Sequence, residues 1–128
     1  MPQQMIKKYT DKLMFAKILN GLDAFAEQRT AEGAKDSEIV LVREIIKEMS
    51  AYWEMELPKD WLREFDQRIQ QIQQGKQPQE ISMSNKVATL YGLAGYSEEM
   101  MHTHGNDEQG RQEEIQQIMQ RMEQVWNI

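Results

Sequence analysis

VATLYGLAGYS, residues Val87 to Ser97, is the longest run in the chain without a charged residue. The text on both sides of it is dense with Glu, Gln, Lys and Arg. A segment this apolar must be covered by its neighbours, and the pattern carries it on as a helix through SEEMMHTH to Gly105. Val87, Leu90, Tyr91, Ala94 and Met101 fall on one stripe of that helix. Ser84, Ala88, Gly92 and Gly95 line another with small side chains, behind a cap at Ser82 or Ser84. Two glycines so close cost a helix about 2 kcal/mol, so something must compensate. Three readings are open: close approach of a neighbouring helix, the floor of a ligand groove, or a break in the helix between Gly92 and Gly95.

Working outward, the spacing predicts four more helices. Leu62, Phe65, Ile69 and Ile72 make one stripe of a helix from about Pro58 to Gln74, stopped by Gly75 and Pro78. The polar link QGKQPQEIS after it has the composition of a mobile loop. Upstream, Leu41, Val42, Ile45, Ile46, Met49, Tyr52 and Trp53 keep helical spacing from a cap at Asp36 or Ser37 up to Leu57-Pro58. Phe15, Ile18, Leu19, Leu22, Phe25 and Ala26 lie on a helix from about Thr10 to Arg29, widened by Leu13, Met14 and Ala16. That breadth predicts a central helix covered on more than one side. After a turn at His104-Gly105-Asn106, Asn106 or Asp107 caps a last helix with Ile115, Ile118, Met119, Met122, Val125 and Trp126 on one face.

The 128 residues fit one domain spanning 1–128, large enough to bury a core unaided. The formal net charge is −6, with basic residues scattered, so nucleic-acid binding is not expected. The small cluster Lys7, Lys8, Lys12 and Lys17 reads as a solvated face. Without cysteine there is no disulfide framework and no thiolate metal site or nucleophile. No apolar segment reaches the ~18 to 20 residues that span a bilayer, and the N-terminal residues lack the apolar core of a signal peptide. The expectation is an acidic, cytoplasmic protein that does not enter membranes.

Three constellations bear on function. Trp53, Met55, Leu57 and Trp61 bracket the second interhelical turn, where a chain of this size has difficulty burying them all. Tryptophan and methionine suit adaptable protein contacts, with the two tryptophans as anchors. Tyr91, Gly92, Gly95 and Tyr96 are the candidate lining of a small-ligand cleft. Glu98 and His102 share a helix face, and with His104 they could hold a divalent ion such as zinc if the helix ended at about His102. Glu44 and Glu48 have the spacing of a metal-holding pair but lack a second acidic pair opposite, and read as a solvated face.

The sequence therefore points to an all-α bundle of about five mostly antiparallel helices. The leading expectation of function is a non-enzymatic, cofactor-free protein-interaction module: an adaptor, chaperone or small inhibitor presenting a helical face to another protein. Self-association as a homodimer is its natural companion. The alternative is a small-ligand or divalent-metal-binding protein using a cleft near Gly92, Gly95 and His102.

Overall fold

The computed structural model describes residues 11–104 and 109–128, with side chains through residue 100 and from residue 110. Among the described residues the chain is an all-α bundle without strands: α1 (Lys12–Ala31), α2 (Asp36–Tyr52), α3 (Trp61–Gln73), α4 (Met83–His104) and α5 (Gln109–Trp126). None of these helices is long and apolar enough to cross a membrane.

Helix α1 is the axis of the bundle. Asp11 caps it, accepting from the Met14 amide at 2.8 Å; the expected cap, Thr10, lies outside the described residues. Every residue from 21 to 27 is buried, because α2, α3 and α4 all pack on this helix and Trp126 of α5 meets Phe25 edge to face at 6.2 Å. Such a helix has no outer face along those two turns.

Helices α1 and α4 run antiparallel and cross closely. A Cβ placed on Gly92 would stand 2.4 Å from Ile18 Cδ1, and one on Gly21 would stand 1.7 Å from Thr89 Oγ1. The compensation for Gly92 is therefore helix–helix contact, and α4 continues unbroken to His104. The face it buries is not the large stripe read from sequence. Ala88, Thr89, Gly92, Leu93, Tyr96 and Met100 turn inward, whereas Val87 and Tyr91 are exposed. The reason is steric, since only the small-residue side lets α1 come near enough for Leu93 and Tyr96 to reach the core.

The described helix ends share a mechanism. After α1, the Gly33 amide reaches Thr30 O and the Ala34 amide reaches Arg29 O, with Gly33 at φ +87°. Gly75 after α3 and Asn127 after α5 repeat the pattern at φ +105° and +56°. This is the left-handed cap that satisfies a helix's last carbonyls. Helix α2 ends the same way at Tyr52, five residues earlier than Leu57, because Glu54 takes the left-handed position at φ +54°. Its amide bonds Ala51 O and that of Met55 bonds Ser50 O. Helix α3 correspondingly starts at Trp61 rather than Pro58, after Asp60 at φ +62°. The expected caps of α5, Asn106 and Asp107, lie outside the described residues.

Candidate protein-binding groove

The early end of α2 leaves Trp53 to Asp60 as a connector laid across the first turns of α1. Between them lies an open groove of about 900 Å³, lined by Lys12, Phe15, Ala16 and Leu19 on one side and by residues 53–59 on the other. Its floor is apolar. Phe15 and Trp53 meet edge to face at 6.2 Å, and Trp53 meets Tyr96 of α4 at 5.8 Å. Met55 and Leu57 are half-buried above them, while Lys12, Lys59, Glu54 and Glu56 mark the rim.

Both ends of this connector are held in a conformation that costs a residue with a Cβ about 1 kcal/mol or more. Ser50 Oγ ties the wall to α2 by donating to Met55 O at 2.5 Å. The capping bonds that close α2 hold Glu54 in the left-handed region, which aspartate at position 60 enters more readily than glutamate.

The four residues singled out at this turn divide. Trp53 is 3 % exposed and forms the groove floor rather than a free anchor; its indole N–H is buried without an acceptor, so ring packing holds it in place. Met55 and Leu57 line the wall. Trp61 lies beyond Asp60 and stacks on Phe65 at 5.5 Å, half-buried on the first turn of α3.

The candidate ligand cleft is not assembled. Ile18 fills the space at Gly92, Tyr96 is buried against Tyr52 and Trp53, and Tyr91 and Gly95 face outward. Glu98 is exposed. The backbone of α4 does not end at His102, and the side chains of His102 and His104 lie outside the described residues. No group of three metal-ligating side chains occurs among the described residues.

A second polar site went unread in the sequence. Asp23 and Glu27, one turn apart on α1, are buried at 6 % and 3 % exposure. Arg68 of α3 reaches Asp23 at 2.7 Å and Glu27 at 3.7 Å. From the link after α3, Gln79 donates its amide to Glu27 at 3.1 Å and its side chain to Asp23 at 3.2 Å and Glu27 at 2.5 Å. It also accepts from Asn20 at 3.0 Å. The polar link expected to be mobile is thus pinned at its middle. Burial pushes the Asp23 carboxyl up to about 6; the Glu27 charge adds to this and Arg68 opposes it. The i, i+4 spacing of Asp23 and Glu27 inside an apolar stripe was the available signal.

At the C-terminal end of α1, Arg29 holds Glu38 of α2 through its Nε at 2.6 Å, and Arg121 of α5 reaches the same carboxylate. Burial pushes Glu38 up, but the hydrogen bonds and charges of Arg29 and Arg121 outweigh it, and the net shift is downward. A groove of about 480 Å³ runs past these residues, with charged walls and Leu41 and Ile118 as its apolar lining. The sequence matches no protein-family model, no curated protein and no solved structure.

Proposed function

We propose that the chain is a non-enzymatic protein-interaction module that receives a short amphipathic helical segment of another protein in the groove between α1 and the Trp53–Asp60 connector. The observation that carries this reading is the groove's build: a floor of Phe15, Leu19 and Trp53 and a wall of Met55 and Leu57, held open between Glu54 and Asp60. Helix-in-groove recognition places apolar side chains at i, i+3 or i+4 and i+7 into such a trough. Methionine and tryptophan supply large, adaptable contact there. The rim carries both charge signs, Lys12 and Lys59 beside Glu54 and Glu56, so specificity rests on the apolar anchors and on a segment polar on its other face.

Panning a random library of helical peptides against the full chain tests the reading. Enriched peptides should share an i, i+3 or i+4, i+7 apolar pattern, and binding should fall tenfold or more in Ala16→Glu and in Leu57→Lys. Ala16 is exposed on α1, so its variant changes the groove without entering the core. An unenriched library, or binders indifferent to both variants, would refute the proposal.

A further inference from the structure

The charge-free run of α4 has two sides, and covering Gly92 with Ile18 accounts for one of them. The other carries Met83, Val87 and Tyr91, one helical turn apart and 55 %, 53 % and 64 % exposed. One turn further on, Gly95 has no atom within 4 Å of the place where a Cβ would stand. Helix α1 extends this surface. The antiparallel register that sets Ile18 against Gly92 and Gly21 against Thr89 directs Leu13, 67 % exposed, toward the C-terminal half of α4. Leu13 is one turn before Lys17, whose ammonium group donates to Ser84 Oγ at 3.4 Å. Of the large apolar side chains found exposed among the described residues, all but Val40 and Ile128 gather here. Apolar side chains exposed singly need no explanation, whereas a set gathered on one surface marks a contact site.

We infer that this ridge is the contact between two copies of the chain, with α4 packed antiparallel on α4 about a two-fold axis passing at Tyr91. A two-fold contact demands that one surface complement itself, and this one does. With the axis at Tyr91, that ring meets its own counterpart, Val87 lies over the hollow left by Gly95, and Glu98 comes opposite Ser84. Lys17 already stands at Ser84, so each end of the contact gains an ammonium–carboxylate pair. Met83 is carried toward Leu13 at the far end of the other copy. This complementarity of the surface to itself, in shape and in charge, favours a second copy over a partner of different chemistry. A single helix pair with its flanks is small beside the ~800 Å² per partner of a standard interface, so a weak dimer is expected. None of these residues lines the groove, so this inference and the peptide-binding reading stand or fall separately.

Sedimentation velocity on the full chain, from roughly 5 μM to 1 mM, covers the affinity range of a weak dimer. The expected result is a concentration-dependent dimer in the wild type and a monomer throughout in Gly95→Glu. The open space at Gly95 means that this variant should melt no lower than the wild type at low concentration. Because the chain lacks cysteine, Tyr91→Cys and Val40→Cys each introduce a single thiol. Under mild oxidation the first should give disulfide-linked dimer at least ten times faster than the second. A wild type monomeric up to the highest concentration leaves the ridge to some other occupant and overturns the inference. So does a dimer that Gly95→Glu leaves intact, or cross-linking no faster at 91 than at 40.

Discussion

Thr89 stands where any side chain on Gly21 would have to begin. Its Oγ1 would be 1.7 Å from a Cβ at that position and its own Cβ 2.7 Å. The hydroxyl cannot simply turn away, because it donates to Asn85 O at 2.7 Å. Gly21→Ala gains about 1 kcal/mol of helix propensity but forces apart two packed helices, a change that typically costs about 1–3 kcal/mol or more. The overlap here is deep, so a net loss of about 2 kcal/mol or more is expected in urea unfolding. Part of it should return in the Thr89→Ala background, where Oγ1 and Cγ2 are gone.

The two glycines of α4 should respond with opposite signs. A Cβ on Gly92 meets Ile18 Cδ1 at 2.4 Å and Cγ1 at 2.9 Å, whereas one on Gly95 meets nothing within 4 Å. Gly95→Ala is expected to stabilise by up to about 1 kcal/mol through propensity alone. Gly92→Ala is expected to destabilise by about 1–3 kcal/mol, and less when Ile18→Val removes Cδ1. A double-mutant cycle over Gly92 and Ile18 should therefore be non-additive.

Stability should pass through a maximum in mildly acid solution. Asp23 is lifted from 3.8 to about 6, first by burial and then by Glu27, against Arg68. An acid with a raised folded pKa holds its proton more tightly folded than unfolded, so stability grows as pH falls through about 6 toward 3.8. Glu38 has the opposite sign: its pKa lies below 4.5 because Arg29 and Arg121 outweigh burial, so its contribution is full above that value and lost below it. Unfolding free energies should rise as pH falls from about 7 toward about 4, where the Asp23 gain is complete, and fall at lower pH as the Glu38 contribution is lost. Asp23→Asn should flatten the first limb and keep the second.

Glu54 occupies a position that Gly33, Gly75 and Asn127 fill after α1, α3 and α5. Glu54→Gly should stabilise the chain by up to about 1 kcal/mol, since glycine takes positive φ without the steric penalty of a Cβ. The same change frees the groove wall. Weaker capture of the selected peptides by this more stable variant, measured by fluorescence anisotropy, is the expected outcome.

The bundle was legible because large apolar residues at steps of three and four leave little choice of secondary structure, and α1 read as central from the breadth of its stripe. Helix α4 was misread on one point of physics: spacing shows which residues share a face but not which face a neighbour can approach. The small side won because backbones come close there, and Tyr91 was left outside. The groove was half legible. Trp53, Met55 and Leu57 were visible as an excess of apolar text around a turn, but the early end of α2 depends on Glu54 accepting a conformation that glutamate seldom adopts. The Asp23–Glu27–Arg68–Gln79 cluster was missed because two acids within an apolar stripe look like an interruption until a cation and an amide arrive from other parts of the chain.

The burial of α1 from residue 21 to 27 on every side also fixes an order of events during synthesis. This helix is made before α4, and the residues that seal it, Thr89 and Gly92 to Leu93, are some seventy positions downstream. At a ribosomal rate of about 5–20 residues per second, this central helix waits several seconds for its cover. Through that interval it depends on α2 and α3 alone or on a chaperone, so codon changes that slow translation between residues 31 and 93 should lower soluble yield while leaving the stability of the finished protein untouched.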